Sequence, residues 1–341
     1  TPDPKVWDLV NSERGLCSTK LCGHGSDIAK LGQTCFYQRA RSRILSADVL
    51  VLNHSLFFSL LGDDGREDDA PREEEGVLFK NDFVILDEAH NVGPVASKHM
   101  GVSVSSGQVR FNLQRLWNPK TSKGLLGLLL EAKATRMVED ASAAMEQFFG
   151  ELELACDELN EQQAKANRFG GNKNRAWKEL RVRNAGLVED TLTLPLQRVR
   201  EALVQARDGT DDADTGQELA EFNRRVGELR DGVLLFLSQA SDEHVYWVEK
   251  SGKAGTTLSL NAAPVDVAVH LRRRLFRCSS PVVLTSATLA LNDSTSAKVK
   301  GGLDYFAGQI GAEQINALQV GSPFDYERQM KLFIAGKMPD P

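Results

Sequence analysis

The 341-residue sequence has no run approaching 18 apolar residues, so no helix of it is expected to cross a membrane. Its first residues, Thr1-Pro2-Asp3-Pro4, lack the basic and apolar regions of a secretion signal. An initiator methionine is also missing, and the chain stops at Met338-Pro339-Asp340-Pro341, so both ends are read as cuts in a longer protein. Cysteine is scarce: five residues, an odd number without a secretion signal, argue against a disulfide framework. A phosphate-cradling GxxxxGK[ST] loop is absent. The nearest text, Ser251-Gly252-Lys253-Ala254-Gly255, follows Gly-Lys with Ala and lacks the earlier glycine. No internal repeat or low-complexity tract is evident. What is present, 41% hydrophobic and 26% charged residues, is an ordinary globular composition, enough for one large domain or two to three smaller ones.

The formal net charge of −6 is unevenly spread. Residues 63–75 carry eight acids and two arginines, and with Gly and Pro but no apolar periodicity they read as a mobile loop. Residues 1–43 carry seven basic and four acidic side chains, and 165–183 carry seven basic residues and one Glu. Arg272, Arg273, Arg274 and Arg277 form a third basic patch. Phosphate binding depends on a local stripe of charge, so the acidic total does not exclude a polyanionic partner. Solvated helix faces are the competing reading.

Three apolar runs ending in polar residues predict buried strands: Ala47–Asn53, Phe83–Leu86 and Pro281–Leu284. Further strand character lies at His244–Val248 and Thr256–Leu260, and Leu56–Leu61 suits a helical turn or two. Between about 107 and 240 apolar residues recur at helical spacing, as in Met137, Ala141, Met145 and Phe148, or Val226, Leu229, Val233 and Phe236. This predicts an almost wholly helical insertion, broken near Gly170-Gly171 and from Asp208-Gly209 to Gly216. An amphipathic helix is expected over Pro264–Phe276. Such strands are the layout of a doubly wound parallel sheet, whose ligands sit at the strands' carboxyl ends. Here those ends are Asn53-His54, Asp87-Glu88-Ala89-His90 and Ser286-Ala287-Thr288.

Asp87-Glu88-Ala89-His90 is the sharpest signal. Nucleotide hydrolysis needs a carboxylate that holds Mg²⁺ against the phosphates and a second group that orients the attacking water. Adjacent acids at a strand tip can divide these tasks, although an acidic helix cap gives the same text. Thr285-Ser286-Ala287-Thr288-Leu289 is a weak signal alone, because small hydroxyl residues after strands are commonly turn residues.

Taken together, an acidic tetrad reading DEAH, a helical insertion and then TSATL resemble superfamily 2 helicases of the XPD/DinG type. The resemblance extends to Cys35–Arg41 running into Ala47–His54, to Tyr246–Glu249, to Ala263–Val267 and to Gly321–Tyr326. It covers nearly the whole chain and is nearer to bacterial DinG-like proteins than to the XPD branch. It implies an α/β fold: a RecA-like parallel-sheet motor domain interrupted by a small iron–sulfur module and a mostly helical arch. The implied divisions are 1–43 for the iron–sulfur module, 44–100 and 244–320 for the two parts of motor domain 1, 101–243 for the arch, and 321–341 for the start of motor domain 2.

By the same resemblance the activity is ATP-driven 5′→3′ translocation on single-stranded DNA, with unwinding of duplex or forked DNA. Asp87 would bind Mg²⁺ through water, Glu88 would activate the hydrolytic water, and both would contact Mg-ATP. His90 would link nucleotide state to the rest of the motor, and Ser286 and Thr288 would couple hydrolysis to DNA movement. Arg39, Arg41 and Arg43 would face the DNA path. With no phosphate-cradling loop, charge stabilisation during phosphoryl transfer is largely lost, and the chain by itself is expected to have no useful ATPase activity. A cytoplasmic monomer is expected.

Cys17-x4-Cys22-x12-Cys35 is not a zinc-ribbon spacing. It resembles the last three of four cysteines holding a [4Fe–4S] cluster in DinG-like helicases, the other lying upstream, so in this chain the cluster site is expected to be empty or partly filled. Zinc held by these cysteines with His24, and structural thiols without metal, are the alternatives. Cys156 and Cys278 read as core residues. Two other functions fit the chemistry less fully: a metal-stabilised single-stranded nucleic-acid-binding module without ATPase activity, binding through 165–183 and 272–277, and a metal-stabilised interaction protein with no DNA role.

Overall fold

A computed structural model describes residues 22, 26–30, 32, 35–44, 46–61, 83–129, 131–166, 177–252, 256–277, 281–289, 299–321, 324–334 and 336. The acidic segment 63–75, Cys17, His24, Cys278 and the expected break at Gly170-Gly171 lie outside the described residues. Six strands are described: β1 (Val84–Leu86), β2 (Val102–Ser105), β3 (Glu179–Val182), β4 (His244–Ser251), β5 (Thr257–Pro264) and β6 (Val282–Leu284). The main helices are α1 (Phe36–Ile44), α2 (His54–Leu60), α3 (Val92–Met100), α4 (Ser106–Leu116), α5 (Leu125–Leu128), α6 (Ala132–Ala166), α7 (Thr193–Asp208), α8 (Ala213–Ser238), α9 (Ala268–Leu271) and α10 (Val299–Ile310). The chain divides into two compact units, residues 1–80 with 94–267, and residues 81–93 with 268–341.

The first unit is built on an antiparallel sheet of order β2-β5-β4-β3. Its helices bury the stripes that the periodicity marks. In α8 the buried Leu219, Phe222, Val226, Leu229, Val233 and Phe236 recur every three or four residues, which puts them on one face. In α6 Val138, Ala141, Met145, Phe148 and Leu152 do the same. Caps mark the ends. Asp212 accepts the Thr215 N–H at 3.0 Å to start α8, and Ser105 and Gln108 form a reciprocal capping box that starts α4. Gly232 lets α8 lie close on β2, because a Cβ there would stand 2.5 Å from Val104 Cγ2 and 2.9 Å from Val102 Cγ1. Cys156 sits in this core as expected, and burial pushes its thiol up to about 12.

In the second unit β1 and β6 pair in parallel, with Val84 opposite Val282, Ile85 opposite Val283 and Leu86 opposite Leu284. Leu271, Leu275, Phe306, Ala307 and Ile310 supply buried apolar surface, and Arg272 pairs with Glu313. Gly311 closes α10 at φ +75°, where a Cβ would lie 2.3 Å from the Ala268 carbonyl oxygen, so only glycine fits.

The α/β class and the parallel pairing of the strands bearing the DEAH and SAT residues agree with the sequence reading, and four particulars do not. Residues 47–53 form no strand: Val49 is 79% and Val51 94% exposed, and Asn53 instead caps α2 by accepting the Leu56 N–H at 2.7 Å. An apolar run becomes a strand only where a neighbour takes up its backbone hydrogen bonds, and among the described residues none does. The strands near 244 and 257 join the antiparallel sheet, in the same unit as the helices, rather than the parallel pair. Their text carried that signal: Leu258, Leu260 and Ala262 alternate with Thr257, Ser259 and Asn261, the mark of an antiparallel strand rather than of a parallel one. The helical middle contributes β3 to that sheet. The helix expected from Pro264 begins at Ala268, because β5 runs through Pro264, and it widens into a π-helical turn over Arg272–Phe276, closed by the Arg277 N–H on the Arg272 carbonyl.

Candidate functional site

The acidic tetrad and the hydroxyl triplet, nearly 200 residues apart, meet at the carboxyl ends of β1 and β6. Three residues of parallel register carry the chain to Leu86 and Leu284, so the residues that follow, Asp87 and Thr285, emerge side by side. The Thr285 N–H donates to the Leu86 carbonyl at 3.0 Å, and the Thr285 carbonyl accepts the Ala89 N–H at 2.9 Å. Between these two bonds lies Glu88 at φ 48° and ψ 47°, a left-handed conformation that disfavours a side chain. Its carbonyl accepts the Asn91 N–H at 3.0 Å, which opens the 3₁₀ turn leading into α3.

The side chains form two neighbouring groups within the second unit, Asp87 with Thr285 and Glu88 with His90 and Ser286. Thr285 Oγ1 donates to Asp87 Oδ1 at 2.8 Å. His90 Nδ1 stands 2.9 Å from Ser286 Oγ and 3.3 Å from Glu88 Oε2. The roles at Nδ1 depend on the ring tautomer: a protonated Nδ1 donates to Ser286 Oγ, and a bare one accepts from its hydroxyl. Ser286 Oγ also accepts the Thr288 N–H at 3.3 Å. The structure therefore brings together Asp87, Glu88, His90 and Ser286. Thr288 joins through its backbone alone, and its side chain is exposed. Thr285 was missed as a site residue. The register argument above finds it, because the first residue past β6 must lie beside the first residue past β1.

Asp87, Glu88 and His90 are exposed, so the carboxylates are available to a ligand from solvent. Among the described residues no group of three or more His, Cys, Asp or Glu could hold a metal ion alone. One or two exposed carboxylates without a protein cage suit Mg²⁺, which keeps most of its waters and is commonly shared with substrate phosphates. The donor set thus fits a magnesium ion that arrives with a nucleotide.

Cys22 and Cys35, the described members of the cysteine cluster, lie in the first unit. Cys35 precedes α1, and its sulfur accepts the Gln38 N–H, the largest influence holding its thiol below the ordinary range. Slight burial opposes this, while a hydrogen bond from Cys22 and the Tyr37 N–H add to it. Two of the three clustered thiols are therefore in contact, one at a helix N-terminus that favours thiolate, and this fits thiolate ligation of a metal or cluster. On α1 Arg39, Arg41 and Arg43 are exposed and the helix carries no acid. Four-residue spacing sets Arg39 and Arg43 on one face, whereas Arg41 lies 5.8 Å from the Tyr37 ring centre on another. The three arginines are thus divided between two faces.

The DEAD_2 family matches residues 24–109. The ATP-dependent DNA helicase YoaA of Escherichia coli strain K12 is 26% identical across 99% of this chain and 45% of its own length. The chain is a relative of the DinG-like helicases. ATP-dependent DNA helicase DinG of Photobacterium profundum is 23% identical across 98% of this chain and 46% of its own length. The protein named 3'-5' exonuclease DinG in Bacillus subtilis is 25% identical across 89% of this chain and 33% of its own length. This DinG-like chain spans less than half the length of these curated relatives. Among the described residues no helix is long and apolar enough to cross a membrane.

Proposed function

We propose that this chain is the portion of an ATP-dependent DNA helicase that holds the metal-facing and water-activating acids. Asp87 binds Mg²⁺ through water and Glu88 activates the water that attacks the terminal phosphate. His90 and Ser286 connect that event to the strand beyond, with Thr288 on the same turn. The observation that carries the reading is the direct bonding of the DEAH tip to the SAT tip across a parallel pair, His90 to Ser286 at 2.9 Å and Thr285 to Asp87 at 2.8 Å. Ligands of open parallel sheets lie outside such strand ends. When bound, magnesium supplies charge neutralisation for phosphoryl transfer.

In this reading residues 1–43 form the iron–sulfur module, with Cys17, Cys22 and Cys35 as three of four cluster ligands, and the helical region 101–243 is the arch. Arg39, Arg41 and Arg43 lie along the DNA path, and the helicase works as a cytoplasmic monomer. No GxxxxGK[ST] loop occurs in the 341 residues, so the chain alone hydrolyses no useful amount of ATP. Strand displacement by the full-length protein tests the motor. A duplex or fork bearing a 5′ single-stranded tail should be unwound with ATP and Mg²⁺, and one bearing only a 3′ tail should not. Equal unwinding of both, or of neither, contradicts the proposal.

A further inference from the structure

The tip of β6 does more than lie beside the acidic tetrad. One residue, Thr285, makes three hydrogen bonds to it: N–H to the Leu86 carbonyl, carbonyl to the Ala89 N–H, and hydroxyl to Asp87 Oδ1. The two backbone bonds bracket Glu88, whose left-handed conformation persists only where the surroundings impose it. The third bond stops rotation of the Asp87 carboxylate. Groups that bond to a metal-binding carboxylate fix its orientation, and their loss typically lowers metal affinity 10- to 100-fold.

We propose that Thr285 is a positioning residue for the metal: its backbone straps the acidic turn in place, and its hydroxyl aims the Asp87 carboxylate. This rests on the magnesium–nucleotide reading of the site. Division of the two tasks makes the hydroxyl separately testable. Thr285→Val keeps the β-branched shape and both backbone bonds and removes only the donor, while Thr285→Ser keeps the donor.

The test uses the full-length protein with Mn²⁺ and a non-hydrolysable ATP analogue, following bound manganese by electron paramagnetic resonance, so no turnover is involved. The half-saturating Mn²⁺ concentration should rise about tenfold in Thr285→Val. Thr285→Ser should stay within about twofold of the wild type, because its donor remains. Asp87→Asn should lose the saturable site. Thr285→Ala takes the place of the valine variant if that fails to fold, with the same expected rise. Wild-type binding in Thr285→Val alongside loss in Asp87→Asn overturns the positioning role and leaves the metal site standing. A tenfold rise in Thr285→Ser also overturns it, since the methyl group rather than the hydroxyl would then matter. Wild-type binding in Asp87→Asn removes the metal reading itself, and this proposal with it.

Discussion

Replacing Glu88 with Gln in the full-length protein is expected to lower DNA-stimulated ATP hydrolysis by about 10²- to 10⁴-fold, the usual contribution of a positioned general base. The substitution keeps the side chain's length and its ability to accept from His90, and removes only the charge. Glu88 is 61% exposed and its interaction with His90 at 3.3 Å is a surface contact, so the fold should not register the change beyond about 0.5 kcal/mol. Nucleotide binding should persist, because Asp87 and its bond from Thr285 are untouched. The expected signature is thus a fall in kcat with little change in KM or melting temperature. Hydrolysis within threefold of the wild type would remove Glu88 from the chemistry.

Phe148→Ala should have the largest effect on stability, about 3–5 kcal/mol. Phe148 is fully buried in α6 and meets Phe149 edge-on, with ring centres 5.3 Å apart. Truncation loses the transfer free energy of the ring and leaves a cavity that the packed helices cannot close. Against a typical total of 5–15 kcal/mol this is a large fraction, so the urea midpoint should fall with the slope unchanged. A loss below 1 kcal/mol would mean that the α6 stripe does not face the core. The contrast with Glu88→Gln separates the two kinds of residue: one variant loses rate at constant stability, the other loses stability far from the acids in sequence.

The site was more legible in the sequence than the sheet around it. That Asp87, Glu88, His90 and Ser286 meet was legible because polar residues directly after apolar strands have few places to go, and the parallel register then brings them together. The helical stripes of α6 and α8 were legible for the same reason, since a 3.6-residue period leaves one solution. The run 47–53 misled because apolar content predicts burial, while strand formation depends on a neighbour that no local pattern reveals. The strands at 244–251 and 257–264 were legible as strands, while the sheet they join, the antiparallel one, was not. Thr285 was overlooked because its importance lies in a register, three residues of β1 against three of β6, rather than in its own type.

The most direct measurement is diffraction at the manganese absorption edge from crystals of the full-length protein grown with Mn²⁺ and a non-hydrolysable ATP analogue. The anomalous peak should lie one water away from the Asp87 carboxylate, beside the nucleotide's terminal phosphates, with Glu88 facing the same space. A nucleotide and metal seated elsewhere, with the Asp87 and Glu88 carboxylates turned away from both, would contradict the assignment of this strand tip as the hydrolytic centre.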